Sequence, residues 1–256
     1  MNKMNKLFTT LLVSASVIAL GACEPQLVDQ QFQKTEGLYS GYADTTSARL
    51  NTVAKQALED NSPYEAVKQF ERVYKIDSGN PRAALNYASA LRLTGNPERA
   101  SVVLAPFVEI ARDNEKVMVD ASSPDILLEY AAIQMSLGRY SEAEDLLHAL
   151  ASDTRAPELR PQALNLIGVT LDARGRHDEA EPYYEQAMDL WQGEPVSVMN
   201  NLALNLAHQG YFDESLNLLR QALVIEPDSE KIAANIDFVR GLQASVNANR
   251  YIPTKP

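Results

Sequence analysis

The chain has 256 residues and a formal net charge of −11, with 34 Asp and Glu against 23 Lys and Arg. A body this acidic repels nucleic acid and anionic lipid surfaces, so neither is expected as a binding partner. One cysteine in the whole sequence excludes an intrachain disulfide and a cysteine-built metal site.

Lys3 and Lys6 precede an apolar run from Leu7 to Leu20, interrupted only by Thr9, Thr10, Ser14 and Ser16. A positive head before a short apolar core predicts a secretory signal peptide over 1–22. That core falls short of the roughly 20 apolar residues a spanning helix needs, and no later segment comes closer. The run closes on Leu20-Gly21-Ala22-Cys23, which resembles the lipobox of bacterial lipoproteins. The resemblance implies acylation of Cys23, which becomes the new N-terminus. With Glu24 next, it also implies passage to the outer membrane, with the body lipid-anchored on the periplasmic face. Cleavage removes two lysines and no acid, so the mature body is more acidic still. Residues 23–46 lack a sustained apolar period and are read as a lipidated tether.

From residue 47 the sequence repeats. Ala66, Ala100, Ala143, Ala180 and Ser215 recur in similar contexts at intervals of 34, 43, 37 and 35 residues. A period near 34 with two helices in each repeat is the tetratricopeptide signature. In repeat one the apolar positions include Leu50, Val53, Ala54, Ala57, Phe70 and Val73; in repeat two, Tyr87, Ala88, Leu91, Leu104 and Phe107. The surplus before repeat three falls at Asp113 to Ser123 and is expected to form a lengthened loop. Repeat three carries Leu127, Tyr130, Ala131, Leu147 and Leu150; repeat four, Leu164, Ile167, Gly168, Leu171, Tyr184 and Ala187; repeat five, Met199, Leu202, Ala203, Leu206, Leu219 and Ala222. Small residues at Gly168, Ala180 and Ala203 let two helices approach closely. Gly138, Gly175 and Gly210 are placed to end the first helix of a repeat in a left-handed conformation. Ser141, Asp178 and Asp213 are expected to cap the second. Ile232, Ile236, Val239 and Leu242 keep a helical spacing with no partner helix to follow, as a closing helix would. The expected fold is an all-α solenoid of about five helix pairs plus a C-terminal capping helix. It forms one domain over 47–247, with a tail at 248–256.

Residues 162–222 carry a more specific likeness. Gln162 to Asp172, Gly175-Arg176-His177-Asp178-Glu179-Ala180 and Met199 to Ala207 together resemble the TadD family, the tetratricopeptide lipoproteins of the Tad (tight adherence, Flp) pilus. Ile232 to Arg240 is similar to that family's closing helix. The resemblance departs at Ser215, where the repeat usually has Ala, and in the long connection after repeat two. It implies a role in building the pilus secretin, with the secretin and other pilus assembly components as partners. An envelope adaptor recruiting peptidoglycan enzymes is the alternative.

Little in the chain suggests chemistry. His148, His177 and His208 lie in different repeats, without ligand spacing on one helix face. Glu142 with Glu144 and Asp178 with Glu179 open second helices, where acids complement the helix dipole. With no phosphate loop and no nucleophile elbow, we expect no catalytic residue, metal or cofactor. Action is expected through protein binding in the groove that first helices line in such solenoids. By register that groove takes Leu85 and Arg92 from repeat two and Leu128, Ala132 and Met135 from repeat three. Repeat four adds Asn165, Val169 and Asp172, and repeat five Asn200, Leu204 and His208. Asn165 and Asn200, equivalent and 35 apart, are candidates to hydrogen-bond an extended peptide. The sole Trp, Trp191, is expected to pack at the end of a helix.

Overall fold

The computed structural model describes residues 45–60, 62–113 and 116–250. The signal peptide, Cys23 and nearly all of the tether lie outside the described residues, as does the end of the tail. The chain forms two compact units that meet in sequence between Leu159 and Arg160. Among the described residues no helix is long and apolar enough to cross a membrane.

The first unit holds three helix pairs: α1 (Thr45–Glu59) with α2 (Pro63–Ile76), α3 (Pro81–Leu93) with α4 (Pro97–Leu104), and α5 (Pro124–Ser136) with α6 (Tyr140–Ala151). Proline opens α2, α3, α4 and α5, where its missing N–H has no intrahelical acceptor to lose. Asn80 caps α3, its side chain accepting from the N–H groups of Arg82 and Ala83 at 3.0 and 3.2 Å. The second unit holds α7 (Arg160–Ala173) with α8 (His177–Leu190), then α9 (Val196–Gln209) with α10 (Phe212–Ile225). A longer helix, α11 (Glu230–Arg250), closes it.

These five pairs and the closing helix are the all-α repeat fold read from the period, and burial confirms its register. The small residue of each first helix, Ala54, Ala88, Ala131, Gly168 and Ala203, is buried. So is its counterpart in each second helix, Ala66, Ala100, Ala143, Ala180 and Ser215. Four residues further along, Phe70, Leu104, Leu147, Tyr184 and Leu219 fill the seam of each pair and are buried too. The closing helix buries Ile232, Ile236 and Val239 against the core of repeat five, which removes the apolar face an end repeat would expose.

The lengthened loop is corrected. Residues 108–121 form an antiparallel hairpin, β1 (Val108–Asp113) and β2 (Lys116–Ala121), in which Ile110 pairs with Val119 and Ala111 with Met118. Pro106 sits in a short 3-10 turn at Ala105–Phe107 that ends α4 after only eight residues. The β-branched residues Val108, Ile110, Val117 and Val119 then favour extended chain over another helix.

The caps of the second helices are corrected as well. Gly138, Gly175 and Gly210 adopt φ of 70°, 73° and 91°, as expected of a left-handed helix end. The next residue, Arg139, Arg176 or Tyr211, donates its N–H back to Gln134, Leu171 or Leu206, and its own carbonyl accepts the first bond of the following helix. One residue thus ends one helix and begins the next, which leaves no room for a separate side-chain cap. Ser141, Asp178 and Asp213 fall at the second helical position instead. There Asp178 and Asp213 act on the helix dipole.

Candidate functional site

In the first unit, the side chains assigned to a groove lie mostly between helices. Leu85, Arg92, Leu128 and Met135 are buried, and Ala132 is half-buried. Arg92, in the last turn of α3, donates from Nε to Glu129 Oε1 at 2.7 Å and from Nη2 to Oε2 at 3.3 Å. Both side chains are only 3% exposed, so the pair is an interior ionic tie from the first helix of repeat two to that of repeat three.

In the second unit Asn165, Val169 and Asn200 are buried, while Asp172, Leu204 and His208 are half-buried. The two asparagines belong to a chain of amides that joins three helices. Asn201 Nδ2 donates to Asn165 Oδ1 at 3.0 Å, Asn200 Nδ2 to Asn201 Oδ1 at 3.4 Å, and Asn235 Nδ2 to Asn200 Oδ1 at 2.6 Å. Asn165 and Asn200 therefore spend these carbonyl oxygens on repeat five and the closing helix, and of the groove residues expected on these two helices only Asp172, Leu204 and His208 keep partial exposure.

Asp172 is the centre of a second network. Its carboxylate accepts from Tyr184 Oη and Asn205 Nδ2 at 2.8 and 2.7 Å, and His177 Nδ1 lies 2.8 Å away. Asn205 also donates to the His177 carbonyl, and Gln209 Nε2 bridges Asn205 Oδ1 and Glu181 Oε2. The His177 and His208 rings stack with centroids 4.7 Å apart and planes 12° apart. Residues 31 apart in sequence meet because the start of one repeat's second helix packs on the end of the next repeat's first. A scan for ligand spacing along single helices misses such a pairing. Among the described residues no group of three or more His, Cys, Asp and Glu is placed to hold a metal ion.

Trp191 ends α8 and is half-buried.

Tetratricopeptide-repeat family models match residues 57–118, 122–193 and 196–225. The chain belongs to the tetratricopeptide-repeat family. Among solved structures it is similar to a thermophilic TPR protein of Thermus thermophilus, at 16% identity and a TM-score of 0.61, over 75% of this chain and 98% of that one. A tetratricopeptide repeat protein from Parabacteroides merdae matches at 16% identity and a TM-score of 0.52, over 83% and 82% of the two chains. MamA from Desulfovibrio magneticus matches at 15% and 0.52, over 74% and 100%. At these identities the likeness shows the fold alone. No curated protein matches the sequence. Tetratricopeptide-repeat proteins are typically non-catalytic scaffolds that mediate protein–protein binding, and the repeats suggest that role here.

Proposed function

We propose that the protein is a non-catalytic, lipid-anchored scaffold on the periplasmic face of the bacterial outer membrane that assists secretin assembly in the Tad pilus. The observation that carries this reading is the likeness of residues 162–222, with the closing stretch 232–240, to the TadD lipoproteins. The sequence Leu20-Gly21-Ala22-Cys23 supports the anchor. Within the second unit, half-buried Leu204 and His208 of α9 offer an apolar and a polar contact side by side along one helix. That combination suits an amphipathic or extended segment of a partner.

The test is crosslinking mass spectrometry on the detergent-solubilised lipoprotein and on a Leu204→Arg variant, beside a measurement of secretin multimers in a strain lacking the protein. Secretin and pilus components captured by the parent and lost from the variant, with secretin multimers depleted in the deletion strain, is the expected result. Normal secretin multimers, with peptidoglycan enzymes captured instead, would overturn the reading in favour of an envelope adaptor.

A further inference from the structure

The stacked imidazoles of His177 and His208 sit where α7, α8 and α9 converge, on the junction between repeats four and five. Three features set them apart from an ordinary buried pair. First, His208 Nδ1 is buried and has no hydrogen-bond partner among the described residues. With the proton of the neutral ring on Nε2, the tautomer that spares a buried unpaired donor, protonation of His208 adds a buried N–H at Nδ1 with nothing to accept it. Second, the near-parallel stack at 4.7 Å would bring two like charges face to face if both rings were protonated. Third, His177 is fixed against retreat: Asp172 holds its Nδ1, while Asn205 holds both Asp172 and the His177 carbonyl.

We propose that the His177–His208 stack is an acid-sensitive latch: neutral His208 keeps α9 seated on α7 and α8, and its protonation loosens the junction between repeats four and five. The charged groups acting on His208 are His177 of α8 and Asp172 of α7. Glu181 of α8 is engaged by Gln209, and Asp213 of α10 accepts from Gln243 of α11. Burial first, and then the positive field of His177, push the His208 imidazole down to about 4, with Asp172 pulling weakly the other way. A folded-state value below the ordinary 6.5 means that the unfolded or opened form binds the proton first. The latch contributes its full stabilisation above pH 6.5, loses it as the pH falls from 6.5 towards 4, and has none left to lose below that. The latch does not depend on which partner the protein binds.

Hydrogen exchange of the full chain in detergent, followed by mass spectrometry and corrected for intrinsic rates, tests this between pH 7.5 and 4.5. Trp191, the only tryptophan, lies at the link from α8 to α9 and gives a parallel fluorescence signal. One proton coupled to opening predicts that protection of the α9 amides falls about tenfold per pH unit below about 6.5. His208→Gln should remove that pH-dependent part, and His177→Gln, which takes away the stacked ring, should make the fall shallower and level it off at higher pH, inside the measured range. Flat protection across the range in the parent overturns the latch. So does an identical fall in His208→Gln. Should His208→Gln fail to fold, a fall in His177→Gln as deep as the parent's overturns it and a shallower fall that levels off within the range upholds it.

Discussion

Arg92 and Asp172 occupy the same place in two repeats, four residues after the small residue of the close helix contact, Ala88 in one and Gly168 in the other. Each reaches the first helix of the next repeat, but with opposite charge and different chemistry. Arg92 meets Glu129 in an interior ion pair, whereas Asp172 collects neutral donors from Tyr184 and Asn205 alongside His177. In repeats two and four the tetratricopeptide period brings a side chain of this turn within reach of the following repeat's first helix. It does not fix what kind of bridge. An ion pair with both members buried is intolerant of losing one, because the survivor is a charge stripped of water. A carboxylate with several donors loses one contact at a time, and one of its neighbours, the histidine stack, responds to acid.

The comparison can be broken most forcefully at Arg92. Arg92→Ala should destabilise the protein by about 3–5 kcal/mol in urea unfolding, while replacing Arg92 and Glu129 together by apolar residues of similar volume should be close to neutral. If the single and double replacements cost the same, the tie is not ionic in its energetics.

Gly168→Ala comes next. A Cβ there would lie 2.6 Å from Cε1 and 2.7 Å from Cζ of the Tyr184 ring, a ring that its bond to Asp172 prevents from turning away. The expected loss is about 1–3 kcal/mol. Repeat five has Ala203 and Leu219 at these positions, so Gly168→Ala with Tyr184→Leu should cost less than the sum of the two single changes, measured as a double-mutant cycle.

Asn201→Ala leaves the buried Asn165 carbonyl without this donor and should cost about 1–2 kcal/mol in stability. A loss of partner capture with unchanged unfolding would show instead that the amide chain serves binding.

The smallest effect has the opposite sign. Ser215 is fully buried, and its hydroxyl has no partner among the described residues, whereas Ala66, Ala100, Ala143 and Ala180 hold the equivalent place. Ser215→Ala should raise stability by about 1 kcal/mol, read as a higher urea midpoint at unchanged slope.

The repeat register, the five helix pairs, the closing helix and the left-handed glycines were legible because each follows from local rules. Small residues recur where two helices must touch, and glycine recurs where the backbone must turn with positive φ. The hairpin at 108–121 was legible only in part: Val117 and Val119 alternate as a strand does, but the stretch is short and charged enough to read as loop. Equivalent positions such as Asn165 and Asn200 were correctly aligned. Their commitment to Asn201 and Asn235 was not visible, because it depends on how far one first helix is displaced against the next. The same displacement set Arg92 against Glu129, 37 residues on, and laid His208 over His177. Sequence alone determined which residues share a helix and which helices pair, because those follow from periodicity along one chain. Only the tertiary structure decided which polar side chains meet between repeats, because shifts of an ångström or two separate a hydrogen bond from a missed one.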